Sequence, residues 1–349
     1  MSFNFNFGAL ALLLISSLLV GAVAVARHPV PRPTAGFGKR ETLPLRGLLA
    51  VLVMLGHFDY CAWPSGTPLH KWTWATPAVA VFFFLSGYGL WKSHAVAESE
   101  GRLPAYWSAF PVRSFKRLFI PALAVIVPTI LVLVAVGGLP SFPVMPRRLA
   151  AGSVGWIVPH GWFVFALALM YCAYAVSFRL AGKKNGIALV AVFVLLYWVV
   201  TKHVLCWKPC WWQSIFSFPL GLVFSKYEDR IRRAFAAHPI AVAGLAAVVL
   251  VLPFVMQFAF GERQLWMREA FLTTMGPAVA LCLMSSDVLT RMKPLNALGT
   301  CSYELYLVHG IVQLAWFPSG LDSLVSILVA VSASLALAVL FHSLLAARK

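Results

Sequence analysis

Arg46 and His57 stand eleven residues apart in LRGLLAVLVMLGHFDY, a stretch that is otherwise almost wholly apolar. On an α-helix, eleven steps of 100° return to within about 20° of the starting direction and advance about 16 Å along the axis. Both side chains therefore share one helix face. An arginine at one end offers charge-assisted donors to an anion such as phosphate. An imidazole deep in an apolar helix can serve as a general base or a nucleophile. Two plainer readings stand beside these: Arg46 as an interfacial anchor, and His57 as a packed residue bonded to a neighbour.

Ionisable groups inside apolar spans are costly and are functional candidates for that reason. Asp59 lies about 160° around the helix from His57, so the two do not pair directly. Glu304, in GTCSYELYLVHG, is a second intramembrane carboxylate and a candidate catalytic residue, with an interhelical hydrogen bond as its structural alternative. His309 follows five residues later. Either carboxylate could reach His57 from a neighbouring helix, and the sequence leaves open which. Arg113, Lys116 and Arg117 concentrate cations just before an apolar run, in a segment, 92–118, that reads as a loop. They suit a phosphate-rich ligand, a lipid headgroup or topology alone.

Other motifs carry less. Ser86, in VFFFLSGYGLWKS, has no G-x-S-x-G elbow around it, and its neighbours Gly87 and Gly89 read as helix-packing residues. No Walker loop, dinucleotide fingerprint or paired-histidine metal motif is present. The cysteines form no zinc or disulfide framework. Cys206 and Cys210, in HVLCWKPCWW, are the one close pair; they read either as a disulfide closed around Pro209 or as two free thiols.

The elements that must position these residues are membrane helices. Of 349 residues, 61% are hydrophobic and 11% charged, against about 25% charged in an average soluble domain, which excludes a water-soluble protein. A span needs about 20 apolar residues. Candidates run approximately over 8–26, 43–63, 75–91, 119–136, 162–178, 186–201, 210–225, 238–258, 270–288, 297–317 and 322–346, giving ten or eleven. The net charge of +17 would suit nucleic acid in a soluble chain, but these basic residues flank apolar runs. Alternate threading places 21 of the 28 Lys and Arg on one side. By the positive-inside rule that side is cytoplasmic, with the N-terminus outside and the C-terminus inside. A cleaved signal peptide over 8–26 is disfavoured, because residues 1–7 lack Lys and Arg and cleavage would strand the basic linker 27–42 outside.

Taken in order, the segments resemble the acyltransferase-3 family of integral-membrane acyl-CoA-dependent acyltransferases. Arg46 and His57 are similar to its Arg-x10-His motif, VFFFLSGYGL to its Phe-rich Ser-Gly-aromatic helix, and RSFKRLFIP to its basic motif. WFVFALALMY resembles the Trp-Phe-x-x-x-Leu motif, and LGTCSYELYLVHG the Gly-x-x-Ser-Tyr-x-x-Tyr-Leu-x-His motif. The likeness covers roughly 43–346. Three departures stand out: Ser114 occupies the first Arg of the usual Arg-x-x-Arg, with Arg113 one position earlier. Leu167 stands where some members carry Glu, and the span at 8–26 is additional.

The resemblance implies an all-α, polytopic membrane helix bundle of ten family-like transmembrane helices plus one extra N-terminal helix, with residues 1–42 as extra helix and linker and 43–349 as the acyltransferase domain. It implies transfer of an acyl group, usually acetyl, from cytoplasmic acyl-CoA to a hydroxyl of a glycan, lipid-linked sugar or other envelope acceptor in the cell membrane. Arg46, Arg113, Lys116 and Arg117 would hold the CoA phosphates. His57 would act as general base, or carry a transient acyl group; no metal is needed. Membrane lipids are its surroundings, and no nucleic acid is implied. The rival readings are a proton-coupled transporter or exporter using His57, Asp59 and Glu304 as a relay, and a catalytically silent assembly partner. On the threading above, a cysteine placed at Arg232 stays unlabelled by a membrane-impermeant maleimide in intact cells, whereas one in the 137–160 loop reacts; the reverse pattern would invert the topology.

Overall fold

The computed structural model describes residues 38–62, 75–238, 241, 244–245, 248, 265–284, 292–316 and 324–347. The expected span at 8–26, nearly all of the linker and most of 238–258 lie outside the described residues. Among the described residues every regular element is helical and there is no strand. The helices are α1 (Lys39–Ala62), α2 (Ala75–Ser99), α3 (Leu103–Ala124), α4 (Ile126–Ala135), α5 (Met145–Ala150), α6 (Trp162–Val199), α7 (Ser217–Ala237), α8 (Leu265–Met284), α9 (Lys293–Thr300), α10 (Ser302–Trp316) and α11 (Leu324–Ala346).

Among the described residues, four stretches are each long and apolar enough to cross a bilayer: Glu41–Phe58, Leu103–Ala135, Trp162–Val204 and Val325–Ala346. The third is about 65 Å long at 1.5 Å per residue, roughly twice a hydrocarbon core. Gly182 resolves that excess. Its φ of 62° and ψ of −173° break the helix, and the bend packs Gly186 against the Phe178 ring. The two arms correspond to the separate spans read from the sequence, and the bend falls among Arg179, Lys183 and Lys184.

Two segments that fall between the expected spans are helical. Most of 92–118 belongs to the end of α2 and to α3, with only 100–102 between them. Pro104 opens α3, where its missing N–H costs nothing. Tyr106, Phe110 and Leu118 bury one face of it. The helix breaks at Val125 because Pro128 has no N–H for the Ala124 carbonyl, and the Thr129 hydroxyl donates to the Val125 carbonyl at 2.6 Å. Likewise 226–237 continues α7, and there Glu228, 1% exposed, accepts from the Tyr88 hydroxyl at 2.8 Å and pairs with Lys92 at 2.5 Å. A carboxylate buried so completely persists only with such partners. Cys206 and Cys210 are free thiols in this structure, so the closed Cys-x3-Cys alternative is not formed.

The bundle is assembled where glycines let backbones meet. A Cβ on Gly87 of α2 would collide with the Phe218 carbonyl of α7, and one on Gly221 of α7 with the Phe84 carbonyl of α2. Gly47 of α1 and Gly299 of α9 approach in the same reciprocal way, against the Leu295 and Leu43 carbonyls. In a membrane, where no hydrophobic effect drives helices together, such close contact is the main source of association. Helix α2 ends up central: Ala80, Phe83 and Phe84 are wholly buried, and α1, α7 and α8 surround it. The contrast between two neighbouring glycines tests this packing. Gly87→Ala should destabilise the detergent-solubilised protein by about 1–3 kcal/mol through overpacking. Gly89→Ala, with nothing within 4 Å of the added Cβ, should be neutral or stabilising by up to about 1 kcal/mol; parallel thermal unfolding curves report both.

Candidate active site

Three histidines from three parts of the chain meet in one place. His57 comes from the last two turns of α1. His309 comes from the middle of α10, and His160 from the turn just ahead of α6. His57 Nδ1 lies 2.9 Å from His309 Nε2. Their ring centroids are 5.1 Å apart and their planes 6° apart, so the two rings lie edge to edge almost in one plane. His160 lies flat on His57, with centroids 3.7 Å apart and planes within 10°.

The protons in this cluster can be placed from its fixed acceptors. His309 Nδ1 sits 3.0 Å from the Leu305 carbonyl, which only accepts, so Nδ1–H donates there. In the neutral ring Nε2 then carries the lone pair and accepts from His57 Nδ1–H. His57 is left with its lone pair on Nε2. That is the tautomer a base needs, with its second nitrogen oriented by a buried partner. His160 Nε2 is 2.7 Å from Gln313 Oε1 and donates to it, and Gln313 Nε2 reaches back to the His57 carbonyl at 3.5 Å. Phe58 and Tyr306 pack edge-on against the His309 ring, and His309 is fully buried.

One nitrogen from each of His57, His160 and His309 lies within 4.8 Å of the others, a set that invites comparison with a three-histidine metal site. The geometry fits a relay better than a chelate. The His309 Nε2 lone pair is occupied by the His57 N–H, and near-parallel ring planes do not aim three in-plane lone pairs at one point.

Arg46 lies at the other end of the α1 face. It is within electrostatic reach of Arg117 and of Tyr171, and Tyr303 senses Arg117 and Tyr171 in turn. The Tyr303 hydroxyl donates to the Leu118 carbonyl at 2.6 Å, tying α10 to α3 beside Arg117. Among the described residues no carboxylate forms an ion pair with Arg46 or Arg117. Two guanidinium groups within electrostatic reach of one another are the kind of donors that suit an anion. Arg113 is turned over the Tyr106 ring at 5.0 Å, and Lys116 is exposed on the same helix.

Of the residues singled out in the sequence, the structure puts Arg46 within electrostatic reach of Arg117 and leaves His57 at the centre of the histidine cluster. Glu304 goes elsewhere: its Oε1 accepts from His342 Nδ1 of α11 at 3.0 Å, and the partner of His57 is His309. The side chain of Asp59 falls outside the described residues. Sequence reasoning passed over His160 and Gln313 altogether and noted His309 without a role. The available signals were the position of His160 two residues before the motif Trp162 and the end position of His309 in its own motif.

The described residues thus combine helices apolar enough to cross a bilayer with a buried three-histidine cluster at one end of the α1 face and Arg46 at the other. A family model described as an acyltransferase domain matches residues 45–343, and the chain belongs to that family, the acyltransferase-3 family. It is therefore a membrane acyltransferase. No curated protein and no solved structure matches the chain.

The partner assignment is testable by paired variants. His309→Ala should lower the acyl-transfer rate by about 10²–10⁴-fold, the usual worth of a positioned acid–base system. His342→Ala, which removes only the contact to Glu304, should stay within about threefold of wild type per folded molecule. A large rate loss in His342→Ala with a mild one in His309→Ala would return Glu304 to the centre of the site.

Proposed function

We propose that the protein is an acyl-CoA-dependent O-acyltransferase of the cell membrane. It moves an acyl group, acetyl being the usual one in the family it resembles, from cytoplasmic acyl-CoA to a hydroxyl of a glycan, lipid-linked sugar or other envelope acceptor. The observation that carries this reading is the directional chain Leu305 O···H–Nδ1 His309 Nε2···H–Nδ1 His57, which presents the His57 Nε2 lone pair. The chemistry is then simple to balance. His57 Nε2 takes the proton of the acceptor hydroxyl as its oxygen attacks the thioester carbonyl. The carbon–sulfur bond breaks, and the departing CoA thiolate receives that proton from His57. No group other than the two substrates is consumed. A direct transfer uses every feature of the relay; an acyl-histidine on the same Nε2 would use it equally well as a nucleophile.

The donor end is supported by Arg46 and Arg117, whose closeness without a carboxylate between them favours a ligand carrying phosphates. Arg113 and Lys116 extend the same positive face of α3. Arg46 and His57 are about 16 Å apart along α1, so the phosphates and the thioester would occupy opposite ends of one extended donor. This orientation puts the paired arginines in the cytoplasm and His57 toward the outer face, in keeping with the excess of basic residues on that side, the N-terminus outside and the C-terminus inside.

Two substitutions separate the roles. His57→Ala should abolish transfer, a loss of at least about 10³-fold, with normal membrane insertion and yield. Arg46→Gln should weaken acyl-CoA binding about ten- to a hundredfold, the equivalent of one charge-assisted hydrogen bond pair, with little change in kcat. Calorimetric titration of CoA into folded Arg46→Gln protein checks the second; unchanged affinity with reduced protein yield would make Arg46 a membrane anchor.

A further inference from the structure

His160 has no part in the proton chain, yet it is the most elaborately held residue in the cluster. Its backbone sits at φ 55°, a left-handed conformation that a non-glycine residue keeps only where its surroundings impose it, and one that concentrates at active sites. Helix α10 imposes it here. The Tyr306 hydroxyl donates to the His160 carbonyl at 2.6 Å, and Gln313 Oε1 takes the Nε2–H at 2.7 Å. Between them the helix comes so near that a Cβ on Gly310 would collide with Pro159 and stand 3.0 Å from His160 Cδ2. These three contacts come from the helix that also carries His309. Together they lay the His160 ring flat on His57.

We propose that His160 is a positioning residue for acyl transfer, acting through ring-on-ring contact with His57. This rests on the reading of His57 as the base. A single hydrogen bond at Nδ1 restrains one combination of the His57 χ1 and χ2 torsions but leaves the imidazole some roll along the other. A parallel ring at 3.7 Å stops the roll. Edge contact from His309 and face contact from His160 thus fix two independent rotations, and with them the direction of the Nε2 lone pair. A misplacement of about 1 Å at a reacting centre costs on the order of 10²-fold in rate. In this role the stacked face of His160 matters and its nitrogens do not.

Three variants of the purified full-length protein isolate that face. His160→Phe keeps a flat ring without nitrogens. His160→Asn tolerates the left-handed backbone but has no ring to stack. Gln313→Leu leaves the ring and removes its anchor. With acetyl-CoA as donor, His160→Phe and Gln313→Leu, which both lose the bond between His160 Nε2–H and Gln313 Oε1 but keep a ring, should hold kcat within about fivefold of wild type, whereas His160→Asn should lower it about ten- to a hundredfold at unchanged KM for acetyl-CoA. Equal losses in the Phe and Asn variants would overturn the proposal by making a nitrogen the acting group, and wild-type kcat in the folded Asn variant would overturn it by making the stack incidental. A second readout needs no substrate: ¹⁵N relaxation of the His57 Nδ1–H in histidine-labelled protein should show a rigid vector in wild type and Phe and a mobile one in Asn. A rigid vector in the Asn variant would overturn the proposal even if kcat fell. A rigid wild-type and mobile Asn vector in a protein inactive toward every acyl-CoA would sustain the positioning while refuting the acyltransfer reading of the site.

Discussion

The hydrogen bond from His57 Nδ1–H to His309 Nε2 is the interaction on which the arrangement depends. It joins residues 252 apart in sequence at 2.9 Å, on two helices that have no reason to meet there except the packing around them. A hydrogen bond of this kind tolerates only a few tenths of an ångström before it weakens. The bundle supplies that tolerance through contacts that do not slide. Gly47 and Gly299 seat α1 on α9, directly before α10, and Gly310 seats α10 on the turn carrying His160. Apolar contact between smooth helices in lipid would set no such register, because lipid tails compete with it on equal terms.

The two ends of the α1 face then differ in physical character as their proposed tasks require. At one end Arg46 and Arg117 lie within electrostatic reach of one another, an arrangement suited to an anion. At the other end the groups are polar without net charge, each with a committed partner: His309 with Leu305, His160 with Gln313, Tyr306 with His160. Buried networks of this kind rigidify a site when fully satisfied and fail when partly satisfied. The proposed reaction needs the first end to hold a flexible, charged donor and the second to hold one lone pair still.

Much of the fold was legible because a bilayer imposes length and apolarity on any helix that crosses it. The apolar runs beginning at 43, 75, 162 and 322 all coincide with helices. Where the reading went astray, charge and proline misled it. The segment 92–118 carries five basic residues and two prolines between its apolar stretches, yet Pro104 starts a helix and Pro111 is absorbed within one whose buried face, Tyr106, Phe110 and Leu118, keeps near-helical spacing. The site divides in the same way. Arg46 and His57 were legible because one helix fixes their relation. Glu304 was a candidate partner of His57 on depth alone, and the packing of α11 gives it His342 instead. His160 was illegible: it stands in a turn between Pro159 and Gly161, its backbone is set by Tyr306 and Gln313, and no local pattern encodes a contact with residues some 150 positions away.

The central claim is that His57 and His309 act as one unit, and a double-mutant cycle on acyl transfer tests it most directly. Rates are measured for wild type, His57→Ala, His309→Ala and the double variant, each normalised to folded protein. If His309 works only by orienting His57, removing it from a protein that already lacks His57 changes nothing further, and the double variant matches His57→Ala. Losses that multiply, with the double variant slower than either single one by the product of both, would show that the two histidines contribute independently and would contradict the relay.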